Sequence, residues 1–164
     1  MKFQPAEENK IIIKKNPNGD SRTAPKDVTF DQVHKATKEH IQAVQQVMQS
    51  LGDMLEAQGF RHDWTKLEYE QEFYDNLMAT LTDGTNFVSN TWYQKHINKE
   101  KHHPFDKCHD DINLLDIIET IVDCVCAGKA RSGEIRPLEF DEEILNKAVA
   151  NTVKMIDEMT EVKK

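Results

Sequence analysis

This 164-residue chain has no long apolar run, no basic excess, no paired cysteines and no internal repeat. Its apolar stretches are a few residues long, far short of the ~18 that would suggest a membrane-spanning helix. Residues 1–10 place Glu7 and Glu8 where a secretion signal keeps its apolar core. Lys and Arg number 21 against 29 Asp and Glu, a formal charge of −8. Coating of a nucleic acid backbone needs a basic stripe and is not expected. A small phosphate remains admissible, because a metal can supply the positive charge locally. The three cysteines, Cys108, Cys124 and Cys126, form an odd set without a C-x-x-C pair. They suit a reduced, intracellular protein with ordinary buried thiols. Aromatic residues are only 7% of the chain, yet 38% is hydrophobic and 30% charged. Those proportions describe a polar globular domain rather than a disordered segment, and the length fits one domain with a substantial core.

Residues 1–27 differ from the remainder. Pro5, Asn16-Pro17-Asn18-Gly19 and Pro25 punctuate them, and Ile11-Ile12-Ile13 is the one strand-like run. A lone strand needs an edge from a loop or a second subunit, so an extended, partly ordered arm is expected, through which a homo-oligomer could form. Residues 28–164 read as an all-α domain of about five helices. Thr29 and Gln32 make a capping box, followed by a stripe of Val33, Ala36, Val44, Val47, Leu51, Met54 and Leu55 at helical spacing, with Gly59 as the stop. Thr65 and Glu68 suggest a second box, ahead of Tyr69, Phe73, Leu77, Met78 and Leu81; Asp83-Gly84 ends that helix. A third helix spans about 87–99. The run from about 111 to 127 is the most apolar and is expected at the centre of the fold. Asp141 starts the last helix, with Glu142 and Glu143 in its first turn, where the helix dipole favours acids.

The histidines carry the chemistry. His40 falls in register with the apolar stripe of the first helix, four residues before Val44. A buried imidazole needs partners for both ring nitrogens, so His40 is either a structural histidine or a ligand. His62 and Asp63 are adjacent at a helix boundary, where a bend in the backbone can turn both side chains to one ion. Lys66, one turn on, can meet a phosphate; the plainer reading has Asp63 capping the helix and pairing with Lys66. His96 shares a helix face with Trp92, and His102-His103 follow in a loop stiffened by Pro104. His34 and His109 read as surface residues. Asp116, Glu119 and Asp123 lie near one face of the apolar helix. Asp116 and Glu119 could equally be its solvated strip, whereas Asp123 sits deep in the run between Val122 and Cys124. Imidazoles and carboxylates without thiolate pairs suit Mn, Fe, Co, Ni or Zn, and such an ion acidifies water at neutral pH.

The pattern His40, His62-Asp63-x-x-Lys66 and Asp123 resembles the HD-domain superfamily of metal-dependent phosphohydrolases. It is more closely similar to a group of small HD-like proteins of bacteria and their phages. Those proteins carry a Trp-x-x-x-His segment, here Trp92 to His96, a His-His pair, here His102-His103, and an Asp on an apolar helix, here Asp123. The likeness covers residues 34 to about 128. It implies an all-α fold with His40, His62, Asp63 and Asp123 as ligands to one divalent metal. Asp63 would bridge to a second ion where one is present. His96 and His102 or His103 would bind that second ion or orient phosphate oxygens, and Lys66 would hold phosphate. The implied activity is hydrolysis of a nucleotide or similar small phosphate ester, with Asp63 and Lys66 in the catalytic set and Lys66, His96 and His103 touching substrate. The implied location is the cytoplasm, of the host if the chain is phage-encoded, with no membrane partner.

Two other readings fit parts of the sequence. A metal-stabilised HD-like scaffold would bind a host or phage protein without turnover, using the acidic surface and the arm. An acidic-cluster nucleotide pyrophosphatase would hold Mg²⁺ through Glu68, Glu70, Glu72, Glu119 and Asp123. The second leaves the inward histidines unexplained, since Mg²⁺ prefers oxygen ligands.

Overall fold

The structure, a computed structural model, describes residues 10–163. The acidic opening and Pro5 lie outside them. The chain is all-α, as expected, apart from one small pair of strands. Strand β1 is Ile11–Lys14 and strand β2 is Thr160–Lys163; the helices are α1 (Phe30–Arg61), α2 (Trp64–Glu68), α3 (Glu70–Asp83), α4 (Thr91–Lys99), α5 (Leu114–Ser132) and α6 (Glu142–Met159). No helix among the described residues is long and apolar enough to cross a membrane. The chain divides into two compact units. One comprises the residues up to Met54 together with those from Val153 onward, and the other is Leu55–Thr152.

In the first unit, the strand that seemed to lack a partner finds one within the same chain. β1 pairs in parallel with β2, Ile11 opposite Thr160 and Lys14 opposite Lys163. The segment between β1 and α1 folds back along the helix: Asn16 Nδ2 donates to Glu39 Oε2 at 2.9 Å, and Gly19 lies so close to Ala36 that an added Cβ would stand 3.3 Å from the alanine methyl. The Thr29–Gln32 box forms as read. The Thr29 amide donates to the Gln32 side chain at 2.9 Å, and the Gln32 amide to the Thr29 hydroxyl at 3.4 Å. The expected stripe of this helix is only partly covered. Ala36 and Ala43 are buried, but Val33, Val44 and Met54 are exposed. Gly59 does not stop the helix, which continues to Arg61.

In the second unit, Ile112, Ile117, Ile144 and Ala148 form the core, with Cys108, Leu114 and Phe140 packed against it. Burial of such side chains contributes about 25 cal/mol per Å² of apolar surface. α5 supplies that core from one face only. Ile118, Ile121 and Val122 on its other side are exposed, so the most apolar run is not enclosed all round. Its start is firmly set: Asn113 accepts from the amides of Leu115 and Asp116, and the Asp116 carboxylate accepts from the Asn113 amide. Asp116 is therefore a buried cap residue and not part of a solvated strip. From α6, Asn151 donates to the carbonyls of Asp110 and Ile112, and the Thr152 hydroxyl accepts from the Leu114 amide. These bonds hold the loop leading into α5. Around α4, Trp92 is buried against Phe73 and Phe87. Of the cysteines, Cys108 and Cys124 are half-buried, while Cys126 is exposed, contrary to the reading of all three as buried.

Candidate metal centre

The α1–α2 junction sets the site. Asp63 has φ 57°, the left-handed region, and is the one non-glycine with positive φ among the described residues. That conformation costs an ordinary residue about 1–3 kcal/mol and persists where the surroundings enforce it. It breaks the helix between His62 and Trp64, and both side chains of the doublet turn into one cluster. His62 Nε2 stands 3.4 Å from Asp63 Oδ2 and 3.6 Å from Asp123 Oδ1, and its Nδ1 lies 2.8 Å from Glu119 Oε1. Asp63 occupies the cap position of α2 without making a side-chain cap bond. One of its oxygens, Oδ2, accepts from Lys66 Nζ. The other, Oδ1, is buried without a hydrogen-bond partner and faces His102 Nε2 at 3.5 Å and His96 Nε2 at 3.6 Å.

His102 is the hub. Its side chain is fully buried, and neither ring nitrogen makes a hydrogen bond, although Nδ1 is only 3.1 Å from Glu119 Oε1. A buried polar group without a partner is costly. The backbone that presents this ring is itself fixed, because the buried Thr120 hydroxyl donates to the His102 carbonyl at 3.0 Å.

His96 is buried on α4, stacked on Trp92 with ring centroids 4.9 Å apart. Its tautomer follows from its neighbours. The Thr65 hydroxyl donates to Glu100 Oε1 at 2.9 Å, so its oxygen must accept from His96 Nδ1, 2.6 Å away. A neutral His96 then carries its proton on Nδ1 and keeps a lone pair on Nε2, which points at Asp63 Oδ1, His102 and His103. His103 Nε2 is 2.7 Å from that lone pair. Both members of the His102-His103 pair thus reach the cluster.

The charges settle accordingly. The carboxylates of Asp123 and Glu119 push His62 up to about 10. Burial lowers His102, but Asp63 and Glu119 overcome it and raise this ring to about 9. Burial, reinforced by His103, takes His96 down to about 3; burial and His102 take His103 down to about 4. Burial would raise Asp63 and Glu119. Instead His102 and Lys66 hold Asp63 well below the usual carboxylate range, and His102 and His62 hold Glu119 down to about 2. Without a metal, the charges on His62 and His102, together with the Lys66 ammonium on Asp63, offset three converging carboxylates.

Three groups of side chains could each hold a metal ion: Asp63, His96, His102 and His103; His62, His102 and Asp123; and Glu100, His102 and Glu119. Within each group the donor atoms lie within 4.8 Å of one another, and His102 is common to all three. The residues present therefore fit a divalent ion. The unpaired Asp63 oxygen and His102 nitrogens are the groups such an ion would satisfy.

Of the residues singled out in the sequence, His62, Asp63, Lys66, His96, His102, His103 and Asp123 converge here. His40 does not. It is exposed on α1, and the helix runs unbroken from Phe30 to Arg61. His109 is not a surface residue either: it is half-buried, with Nε2 2.8 Å from the Ile97 carbonyl. Sequence reasoning missed Glu100 altogether and did not assign Thr65 or Glu119 to the histidine cluster. Thr65 looked like a helix cap but is buried inside α2 as the link between Glu100 and His96. Glu119 reads equally as solvated strip or as part of the acidic face, and its spacing of four from Asp123 is the signal for the second. Of the acids of the pyrophosphatase reading, Glu119 and Asp123 reach the cluster through His62, but the others do not join them: Glu72 pairs with Lys95 at 2.7 Å, and Glu68 and Glu70 are exposed.

No curated protein and no solved structure matches this chain. Residues 29–161 match the model of a family described as "Family of unknown function (DUF5662)", and the chain belongs to that family.

Proposed function

We propose that this member of a family of unknown function is a metal-dependent phosphohydrolase of the HD type, acting on a small phosphate ester. The observation that carries the reading is the state of His102: fully buried, unbonded at both nitrogens, and facing Asp63 Oδ1 at 3.5 Å and Glu119 Oε1 at 3.1 Å. A structural histidine would have its nitrogens satisfied. Mixed imidazole and carboxylate donors favour Mn, Fe, Co, Ni or Zn over Mg. His62, Asp63, His96, His102 and Asp123 are the ligands of first choice, with Glu119 in place of the exposed His40, which joins none of the three donor groups. A divalent ion held there supplies positive charge and lowers the pKa of water.

The chain's own residues do the rest. Lys66, half-buried and paired with Asp63, brings an ammonium to the edge of the cluster, where it can hold a phosphate oxygen and offset charge developing during hydrolysis. Thr65 and Glu100 fix the His96 tautomer, as outer partners do for metal-bound histidines. Trp92 stacks on the His96 ring, and the buried Thr120 hydroxyl fixes the backbone that presents His102.

Elemental analysis of untagged protein, followed by a phosphate-ester screen, tests the proposal. A stoichiometric transition metal and metal-dependent phosphate release are expected. Both should be lost in a His62→Ala, Asp63→Ala variant. Metal-free protein whose stability and activity do not respond to that double substitution would overturn it.

A further inference from the structure

Beside the cluster lies a cavity of about 350 Å³, at the low end of the ~300–1,000 Å³ typical of small-molecule sites. Its walls are of two kinds. α5 contributes two rows one residue out of step: Ile118, Val122 and Cys126 along one, and Glu119 and Asp123 along the other. Successive residues on a helix point about 100° apart, so an apolar strip runs beside the acidic edge of the metal cluster. The end of α1 and the residue just after it repeat the arrangement, with Leu55 apolar and His62 polar, and Gly59 between them. An added Cβ at Gly59 would meet nothing within 4 Å, so the missing side chain leaves space that the cavity uses.

The chemistry of this lining selects a substrate class. No lysine or arginine lines the cavity, and two carboxylates do. A polyphosphate chain would find no cation there beyond the metal, whereas an uncharged apolar body would find a matching wall. Resting on the hydrolase reading above, we propose that the substrate is a phosphate monoester with a compact apolar or planar body. Its phosphate sits at the His62–Asp123 end, and its body lies against Leu55, Ile118 and Val122. The same surface disfavours nucleoside triphosphates.

The probes are phenylphosphonate and methylphosphonate, two unreactive analogues differing only in the apolar body. Binding to metal-loaded protein is measured by calorimetry, with metal content determined on the same samples. Apolar pocket contacts discriminate by about tenfold or more, so phenylphosphonate is expected to bind at least about tenfold tighter. Gly59→Leu, which fills the cavity from within a helix that leucine favours over glycine, should reduce that ratio to near unity at unchanged metal content. Val122→Gln, at a half-exposed position, should shrink it in the same direction. Equal affinities for the two analogues in fully metal-loaded parent protein would overturn the substrate class while leaving the metal reading intact. So would a ratio insensitive to Gly59→Leu, or tighter binding of a nucleoside triphosphate. Protein that takes up no metal would overturn the hydrolase reading, and this inference with it.

Discussion

The Thr65 hydroxyl stands 2.6 Å from His96 Nδ1 and donates its own hydrogen bond to Glu100 Oε1, 2.9 Å away. This relay reaches across 31 residues of sequence, and it determines which nitrogen of His96 is free to bind a cation. Outer partners of metal-bound histidines are worth about 10–100-fold in affinity. Thr65→Val keeps the shape and removes the hydroxyl, and a loss of metal affinity in that range is expected in a competition titration. Thr65→Ser should restore most of it. Equal affinity in the valine variant would remove the relay from any role in binding.

Metal uptake should expel protons. His62, raised to about 10, and His102, raised to about 9, are both charged at neutral pH in the metal-free protein, and a ligand imidazole must be neutral. Calorimetry in buffers of different ionisation enthalpy should report about two protons released per site at pH 7. Affinity should therefore weaken as pH falls. A proton count near zero would contradict the charge state assigned to the two rings.

The metal-free protein should also show a stability window. The folded-state pKa of Glu119 is depressed from 4.5 to about 2, so its contribution is present above pH 4.5 and fades as pH falls toward 2. His62 and His102 are raised from 6.5 to about 10 and about 9, so theirs is full below pH 6.5 and disappears as pH rises through 9 to 10. His96 and His103, lowered from 6.5 to about 3 and about 4, take up protons on unfolding below pH 6.5 and so oppose folding increasingly as pH falls. This narrows the window in which the cluster stabilises the metal-free fold most to about pH 6.5. Urea midpoints across the pH range should fall on both sides of that window. The acid-side fall should flatten in Glu119→Gln.

His40 and His62 make a discriminating pair. Metal content should be unaffected in His40→Ala, because that ring is exposed and joins none of the three groups. It should drop sharply in His62→Ala. The reverse ranking would mean that the helix holding His40 is not the continuous one described.

What the sequence discloses and what it withholds divide along a physical line. Helical spacing reports which residues share a face, and this was enough to bring out Asp123, His96 and the stripe of α1. It does not report what covers the face. Val33 and Val44 follow the spacing and remain exposed, and His40, in register with them, is exposed too. Local capping patterns fared unevenly for a similar reason. Thr29 with Gln32 closes a box because nothing else competes for the hydroxyl. Thr65 has a better partner in Glu100, 35 residues away, which short-range pattern cannot foresee. Glu119 behaved likewise: its partners His62 and Gln58 arrive from another helix and its boundary. The left-handed Asp63 was only half legible, since a helix boundary was readable there but its φ was not.

The pairing of β1 with β2 joins Ile11 to Thr160, nearly the widest separation this sequence allows. During synthesis the first strand leaves the ribosome long before the second exists, and its ladder can close only after the helices between them have been made. Such a contact carries a large loop-closure cost. It is therefore a contact that the first unit gains only when both ends of the chain are present, with α6 delivering Thr160 to the edge of Ile11.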